Sequence, residues 1–288
     1  MELRVLRYFL MTAREENITK AAHLLHITQP TLSRQLMQLE ESLGVTLFRR
    51  SKHSIVLTDD GMLLKQRAQE IVSLADKAEL EFRSREDALT GEIAIGCGET
   101  RNMGHLSKQI ASFRERYPLV HFSIYTGIAD DIKDRMEKGL LDMGLLLEPV
   151  EIAKYETVHM PEKEQWGVLV RKDSPLAEKE LIHPEDLIHV PLIMARRNMV
   201  RDRLAEWFGA CYGQLEIAAT YTLVLNAIYM VENHVGVALS FDFKPLCDHL
   251  RYVPLTPVLE NGAVLAWKKH QAFSPAAVQF MKHVKDAF

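Results

Sequence analysis

Cysteine is scarce in this sequence, which contains three in 288 residues, Cys97, Cys211 and Cys247. An odd number of widely separated cysteines excludes a disulfide-stapled scaffold and is typical of a reducing compartment, where thiols behave as small apolar side chains. We therefore expect a cytoplasmic protein. Because 47% of the residues are hydrophobic and 26% are charged, the composition also excludes a disordered or collagen-like chain.

Long apolar runs are missing as well. The most apolar stretch, Tyr221 to Phe241, is interrupted by Glu232, His234 and two asparagines, which are costly inside a hydrocarbon core. The amino terminus becomes amphipathic within its first residues and lacks the apolar segment and cleavage site of a secretory signal. We expect neither a membrane span nor export.

The short motifs of common enzyme classes are absent. The sequence contains no G-x-S-x-G, P-loop, H-E-x-x-H or C-x-x-C motif, and the Gly96-Cys97-Gly98 segment lacks the third glycine of a dinucleotide-binding loop. His23 and His26 could share a helix face, but no cysteine or further histidine stands near enough in sequence to complete a metal site. The sequence therefore predicts no enzymatic activity, no cofactor and no metal ion.

Net positive charge is lacking in the chain as a whole, which carries −4, but it is present at the beginning. Residues 1–58 contain eight Lys/Arg and five Asp/Glu, a net charge of +3, whereas residues 59–90 carry −3 and the remainder −4. A basic head on an acidic body can bind a polyanion while the body stays away from it.

Three helical segments are predicted before residue 45. The first ends near Glu15, and a second, short helix begins near Asn17 or Thr19, either of which can cap it. The third begins after Thr28, a good N-cap residue, with Pro30 in the first turn, where the missing N–H group costs nothing. Two helices joined by a tight turn are the helix-turn-helix arrangement, whose second helix enters the major groove of DNA.

The third helix has one apolar face. Leucines recur at spacings of 4, 3 and 4 from Leu32 to Leu43, and Gly44 then ends the helix. Because this face turns toward the core, the outer face carries the donors and acceptors that can read base edges. The polar residues that point wholly or partly outward are Gln29, Thr31, Ser33, Arg34, Gln35 and Gln38.

Two short strands are expected next, at Val45 to Phe48 and Ile55 to Leu57, around a cationic hairpin tip. The tip contains Arg49, Arg50 and Lys52. Three positive charges could hold phosphates or enter a minor groove, which adds salt-dependent affinity but little sequence selectivity. This hairpin is the wing of a winged helix-turn-helix domain.

Together these motifs resemble the DNA-binding signature of LysR-type transcriptional regulators. The nearly gap-free similarity covers residues 18–36 (ITKAAHLLHITQPTLSRQL), 39–50 (LEESLGVTLFRR) and 57–61 (LTDDG). The resemblance implies base contacts at the start of the third helix and backbone or minor-groove contacts by the wing. The alternative for any one residue is a role in starting the helix or keeping the surface soluble. The candidate DNA-binding residues are Thr28, Gln29, Pro30, Thr31, Ser33, Arg34, Gln38, Arg49, Arg50 and Lys52.

A long helix without proline is predicted from Thr58 to about Arg85. Its apolar and small residues follow the alternating 4-3 spacing of a coiled coil. This seam consists of Leu64, Ala68, Ile71, Ala75, Ala78 and Phe82. We expect it to pair two subunits in a symmetric dimer, the alternative being that it packs on its own domain. The resemblance implies the same homodimer and, in many members, a tetramer formed through the effector domains.

From about residue 90, short apolar strands alternate with helices, which predicts an α/β body. The chain could form two Rossmann-like lobes, with crossovers near Met160-Pro161 and Glu260-Asn261. Residues 113–118 (FRERYP), 139–145 (GLLDMGL) and 235–239 (VGVAL) resemble elements of the LysR effector domain, which implies the fold of type 2 periplasmic binding proteins.

The predicted fold class is an α/β effector domain of two Rossmann-like lobes, preceded by a mainly-α winged helix-turn-helix domain and a long linker helix. The predicted domains are the DNA-binding domain at 1–58, the dimerisation linker helix at 59–89, effector lobe I at 90–161 and 262–288, and effector lobe II at 162–261.

Open α/β sheets bind ligands beyond the carboxyl ends of their strands, which places a small-molecule site in the cleft between the lobes. The candidate effector-binding residues are Glu99, Thr100, Arg101, Asn102, Thr126, Gly127, Met194, Arg196, Thr222 and Asp242. Thr100 and Asn102 stand where a helix amino terminus could offer N–H groups, and Arg101 or Arg196 could add positive charge. A small carboxylate or other anion is therefore the leading ligand class.

Two acidic residues in the same cleft argue against that ligand class. Glu99 and Asp242 would reject simple acids or select a ligand with an amine. Cys97 ends a predicted strand beside the cleft, where a redox-sensing thiol is the alternative to a plain core cysteine.

Three functions are weighed on these observations. The leading one is a bacterial-type transcription factor that binds double-stranded operator DNA as a homodimer, responds to a small-molecule effector and, if it is an activator, contacts RNA polymerase. The others are a small-molecule binding module without promoter control and an enzyme that uses the cleft. The segment Gln29 to Arg34 favours the transcription factor.

Overall fold

A computed structural model of the chain describes residues 1–50, 55–83, 89–243 and 249–288. The contacts divide the chain into two compact units, Met1–Arg85 and Glu86–Phe288. Of the predicted functional residues, Lys52 and the side chains of Arg50 and Phe82 lie outside the described part.

In the residues that the structure describes, the first unit is built from four helices and a two-stranded hairpin. In chain order its elements are α1 (Leu3–Glu15), α2 (Ile18–Leu24), α3 (Gln29–Leu43), β1 (Phe48–Arg50), β2 (Ile55–Leu57) and α4 (Asp59–Arg83). Phe9 is fully buried at the centre, with its ring 5.3 Å from that of Phe48, and Leu32 and Leu36 of α3 complete the core. Burial of these large apolar side chains is the main favourable term in the stability of the unit.

Side chains fix the helix boundaries that the sequence predicts. Asn17, one of the two candidate caps of α2, accepts the Lys20 N–H at 2.9 Å. Thr28 caps α3 by accepting the Thr31 N–H at 3.4 Å, and Gly44 ends α3 with a φ of 70°. A left-handed backbone at this position favours glycine because a Cβ atom is disfavoured there.

The first strand of the wing begins three residues later than predicted. The N–H groups of Leu47 and Phe48 both donate to the Glu40 carboxylate, at 2.7 and 3.1 Å, so this stretch is bound to α3. β1 then pairs antiparallel with β2, with Phe48 opposite Leu57.

Helix α4 packs along α1 of its own unit. Ala68 is fully buried in the core of the helix-turn-helix domain, with Leu64 packed against that core, and an ion pair joins Asp76 to Arg7 of α1. This corrects the predicted seam, because these two of its members are covered by their own domain. Ile71, by contrast, is 39% exposed.

The second unit contains two sheets and five helices within the described residues, besides short 3-10 turns. Its elements are β3 (Gly91–Cys97), α5 (Asn102–Arg116), β4 (Val120–Thr126), α6 (Ala129–Glu137), β5 (Met143–Leu147), β6 (Tyr155–His159), β7 (Glu164–Arg171), β8 (Pro191–Ala195), α7 (Asn198–Phe208), β9 (Glu216–Tyr221), α8 (Val224–Glu232), β10 (Val237–Phe241), β11 (Leu250–Pro254), β12 (Glu260–Asn261), β13 (Ala263–Lys268) and α9 (Pro275–Ala287).

Lobe I is formed around a five-stranded mixed sheet with the order β4-β3-β5-β13-β6. β3 is parallel to β4 and β5, whereas β13 is antiparallel to β5 and β6. An aromatic cluster lies in the core of this lobe. Phe280 of α9 lies 5.1 Å from Phe113 of α5 and 4.9 Å from Phe122 of β4, measured between ring centroids. Parallel strands place the ends of β3, β4 and β5 at one edge.

Lobe II is formed around a sheet with the order β11-β7-β10-β8-β9, with β12 paired to β7. β7 is antiparallel to β10, so Trp166 near the beginning of β7 lies opposite Phe241 at the end of β10. The chain enters this sheet between β6 and β7 and returns to the first sheet between β12 and β13.

The observed architecture confirms the predicted fold class of a helical head followed by a two-lobe α/β domain. Within the described ranges, none of the helices combines the length and apolar character that crossing a bilayer requires.

Candidate functional site

One face of α3 is polar and exposed. Thr28, Gln29, Pro30, Thr31, Arg34 and Gln38 are exposed, and Ser33 is half-buried. Leu32 and Leu36 are buried on the opposite face. Because Pro30, Arg34 and Gln38 follow one another at intervals of four, they lie on the same side of the helix, one turn apart. We refer to residues 28–38 on this side as the α3 polar face.

Hydrogen bonds between neighbours organise part of the α3 polar face. The hydroxyls of Thr28 and Thr31 are 2.8 Å apart, and the Gln35 amide donates to the Gln38 side-chain oxygen at 3.2 Å. No carboxylate among the described residues pairs with Arg34, although its guanidinium carries five N–H donors. These donors are available to an acceptor outside the unit.

The wing adds positive charge to the same unit. Arg49 is exposed on β1, where its backbone pairs with Val56, and the backbone of Arg50 pairs with Ile55. Exposed guanidinium groups on such a hairpin suit phosphate oxygens, which they can bind through two parallel N–H groups.

The second unit contains a cavity between its two lobes. Three of the predicted ligand-binding residues line it: Glu99 after β3, Gly127 after β4 and Thr222 before α8. The other lining residues are mostly apolar. They include the aromatic residues Trp166 and Phe241, whose ring centroids are 4.4 Å apart. The cavity is therefore at the strand ends, as the sequence predicts, but it is less polar than expected.

Glu99 reaches across the cavity to the amino terminus of α8. Its carboxylate accepts the N–H of Val224, and the N–H of Leu225 also contributes. Burial raises the pKa of Glu99 above its ordinary value, while these two N–H groups act in the opposite direction. A carboxylate of the chain itself therefore lies where a helix dipole favours an anion.

A second carboxylate lies at the start of α5. Glu164 of β7 is 0% exposed, and it accepts the Thr100 hydroxyl and the Arg101 N–H, the latter at 2.8 Å. The Arg101 Nε is 3.3 Å from the same carboxylate, and the Asn102 amide donates to the Glu162 carbonyl at 2.9 Å. Thr100, Arg101 and Asn102 thus join the two lobes, and none of them is among the residues lining the cavity.

The arginine that lines the cavity is Arg197, which follows the predicted Arg196. Its Nε and Nη2 atoms lie 3.3 and 3.4 Å from the Asp130 carboxylate, and its Nη1 donates to the Pro149 carbonyl at 2.8 Å. Arg196 is exposed and lies outside the described lining. The positive charge of Arg197 is thus balanced across the lobes by a residue of α6.

Three further predicted ligand residues are not part of the cavity wall. Met194 is fully buried in the core of lobe II and is not among the residues that line the cavity. Thr126 is exposed at the end of β4, and Asp242 follows β10 outside the described lining. Sequence reasoning missed Glu148 and Trp166, which do line the cavity.

Cys97 is a buried core cysteine beside the cavity. Its thiol donates to the Gly98 carbonyl at 2.9 Å, and it is 4% exposed. Burial, assisted by the negative charge of Glu99, raises the pKa of Cys97 to about 12. Since the thiolate is the reactive form, this environment argues against the redox-sensing alternative.

Comparison with protein families assigns both units. Residues 3–62 match the family model described as "Bacterial regulatory helix-turn-helix protein, lysR family", and residues 86–288 match "LysR substrate binding domain". The second match covers more than half of the chain.

Curated proteins of similar sequence are named as transcriptional regulators or activators. The Hca operon transcriptional activator HcaR of Escherichia coli (strain K12) is 28% identical over 302 residues, covering 99% of this chain and 98% of HcaR. The HTH-type transcriptional regulator IlvY of the same organism is 30% identical over 210 residues, covering 72% of this chain and 70% of IlvY.

A solved structure of similar fold is full-length CbnR in complex with its target DNA, with a TM-score of 0.78, 21% identity and full coverage of both chains. At this identity the likeness concerns the fold. With the two family matches and the curated relatives, it leads to one assignment: this chain belongs to the LysR family of transcriptional regulators, with a helix-turn-helix DNA-binding domain and a substrate-binding domain that receives a small-molecule effector.

Proposed function

We propose that this regulator reads its operator through the α3 polar face, with Gln29, Pro30, Thr31, Ser33 and Arg34 against base edges. The observation that carries this proposal is the exposed guanidinium of Arg34, which has no carboxylate partner within the described residues and lies on the side of α3 opposite the buried Leu32 and Leu36. Arginine is the residue that binds guanine with two hydrogen bonds most often. Thr28 and Gln38 lie at the two ends of the same face. In this proposal the protein binds chromosomal DNA in the cytoplasm of a bacterium.

The wing supplies phosphate or minor-groove contacts in this proposal. Arg49, Arg50 and Lys52 carry the charge, and contacts of this kind add affinity without sequence preference. The solved complex of CbnR with its target DNA supports DNA binding by a protein of this fold. We assign residues 1–58 to DNA binding, 59–89 to the linker helix, 90–161 and 262–288 to lobe I, and 162–261 to lobe II.

A second copy of the chain is the proposed partner of α4. Leu63, Ile71 and Leu74 are each more than a third exposed, and with Ala78 they share one side of the helix. We call these four residues the α4 apolar stripe. The α4 apolar stripe shares Ile71 and Ala78 with the predicted seam. It leaves out Leu64 and Ala68, which pack on their own domain. A dimer would bury the stripe and present two copies of α3 to two half-sites.

Association beyond the dimer and contact with the transcription machinery are further proposals. Pairing of dimers into a tetramer would use the effector domains. If this regulator activates transcription, as the name of HcaR states for that relative, RNA polymerase is a further partner.

The double substitution I71E/L74E is expected to raise the dimer dissociation constant about 100-fold or more, because four like charges would meet in a symmetric interface. Sedimentation equilibrium of the full chain measures this change. Gln69→Glu is the matched control, because Gln69 is exposed on another side of α4 and should leave the dimer intact. A dimer of unchanged affinity in the double variant would remove the α4 apolar stripe from the interface.

The cavity between the lobes is the proposed effector site. Lining residues come from both lobes, so a ligand that prefers one lobe arrangement would shift the population toward it and alter the spacing of the paired heads. Glu99, Gly127 and Thr222 are the proposed contacts. Thr100, Arg101, Asn102, Thr126, Met194, Arg196 and Asp242 are assigned supporting positions outside the cavity wall.

A gel-shift experiment on the DNA upstream of the gene tests the proposed function. We expect the full-length protein to bind this fragment about 1,000-fold or more tightly than an unrelated fragment of equal length at the same salt concentration. Repeating the titration with candidate small molecules tests effector control. Equal affinity for both fragments would contradict operator recognition.

A further inference from the structure

The helix amino terminus that the sequence offers to an anionic ligand, that of α5, is bound by a carboxylate of the chain, and so is the amino terminus of α8. Glu99 holds the start of α8 and Glu164 holds the start of α5. A ligand carboxylate at either place would have to displace a group that is already hydrogen-bonded to the helix N–H groups.

Other polar donors of the cavity wall are also engaged within the protein. The Trp166 indole N–H donates to the Asn261 side chain at 3.1 Å, and the Tyr221 hydroxyl donates to the Leu239 carbonyl at 2.8 Å. Arg197 is bound by Asp130 and the Pro149 carbonyl. The wall therefore has few side-chain donors left for a ligand acceptor.

Acceptors, in contrast, remain. Glu99 uses part of the capacity of its carboxylate on α8, and within the described part of the chain the Glu148 carboxylate has neither an ion pair nor a hydrogen bond. With Arg197 neutralised by Asp130, the wall carries excess negative charge over an apolar and aromatic surface. A cation is favoured in such a place by the carboxylates and by aromatic ring faces.

We propose that the effector of this regulator is a small amine with an apolar body, whose ammonium group binds between Glu99 and Glu148 while the body packs on Trp166 and Phe241. This inference rests on the proposed function, in which the cavity is the effector site. It replaces the carboxylate that the sequence favoured.

The amino terminus of α6 is a place in the cavity where a ligand carboxylate could still accept hydrogen bonds from helix N–H groups. Ile128 and Ala129 line the cavity, and no side chain caps this helix. However, Asp131 stands in its first turn, where its charge opposes that of an incoming anion, and the neighbouring Asp130 is paired with Arg197. The comparison of amines with carboxylates therefore also tests this helix terminus.

Calorimetric titration of the full-length protein with probe pairs that share one apolar body tests the ligand class. The pairs are benzylamine with benzoate, and 2-phenylethylamine with phenylacetate, at one pH and ionic strength. We expect at least one amine to bind with saturation and at least tenfold more tightly than its paired acid. Carboxylates that bind as tightly as the amines, or amines that do not saturate, would overturn the proposal.

Variants then assign the contact. Glu99→Gln and, independently, Glu148→Gln are each expected to lower the affinity for the amine about tenfold, whereas Glu92→Gln, exposed at the start of β3, should leave it unchanged. If both cavity variants bind the amine as the wild type does, the proposal is wrong. Gel shifts of the same samples without ligand report on operator binding, so a failure of the proposed function is seen separately.

Discussion

Arg34→Ala is expected to weaken operator binding by about 1–3 kcal/mol per half-site, and by about 2–6 kcal/mol for a dimer that uses two equivalent half-sites. The loss follows from removing a guanidinium that is exposed on the α3 polar face and has no carboxylate partner among the described residues. Specificity should fall together with affinity, because a base-reading contact discriminates between sequences. Gel shifts at constant salt on the operator and on an unrelated fragment measure both quantities.

Arg67→Ala is the matched control for this substitution. Arg67 is also exposed in the first unit but lies on α4, where it pairs with Glu70 at 3.1 Å. Its removal should change the affinity for the two fragments little. If Arg34→Ala lowered binding to the unrelated fragment as much as to the operator, Arg34 would be a phosphate contact rather than a base contact.

Glu164→Ala is expected to lower the free energy of unfolding of the second unit by about 2–6 kcal/mol, because it removes a fully buried carboxylate that accepts hydrogen bonds from two neighbouring donors, each worth about 1–3 kcal/mol when left unpaired. The Thr100 hydroxyl and the Arg101 N–H would be left without their acceptor in the interior. Urea unfolding followed by tryptophan fluorescence measures the change. All three tryptophans of the sequence, Trp166, Trp207 and Trp267, lie in Glu86–Phe288, so the signal reports on this unit.

Glu162→Ala is the control on the same segment. Glu162 also faces Arg101, at 3.8 Å, and His105, at 3.0 Å, but its side chain is 44% exposed, whereas that of Glu164 is fully buried. Solvent screening should limit the loss in this variant to about 1 kcal/mol or less. Equal losses in the two variants would mean that burial of Glu164 does not set its contribution.

The helix-turn-helix domain could be predicted closely because its signals are local. The N-cap of α3 and the glycine that ends it are each decided by a few neighbouring residues, and both were found at the predicted positions. The first wing strand was misplaced because Glu40, in the preceding helix, takes the N–H groups of Leu47 and Phe48. A hydrogen bond from a side chain to backbone groups seven and eight residues away leaves no periodic pattern in the sequence.

The cavity could be predicted only in part. Reading the carboxyl ends of strands found Glu99 and Gly127, but β7 is antiparallel to β10 and brings its beginning to the cleft, so Trp166 was missed. Which acceptor takes the N–H groups of a helix also depends on the packing of the two lobes. Glu99 and Glu164 both cross from one lobe to the other, and the sequence does not indicate their partners.

The 4-3 spacing of α4 illustrates a different limit. A heptad pattern predicts that one side of a helix is covered, but it does not specify by what. Here Ala68 is covered by its own domain, while Ile71 remains more than a third exposed.

The buried position of Cys97 has a consequence for a cell exposed to peroxide. Because burial raises the pKa of Cys97 to about 12, its thiol stays protonated at neutral pH, so oxidants that attack thiolates find little target there. A burst of oxidative stress would thus leave this side chain chemically unchanged. A small molecule that binds in the cleft is then expected to act reversibly. The level of transcription should therefore follow the concentration of that molecule and not earlier oxidation of Cys97.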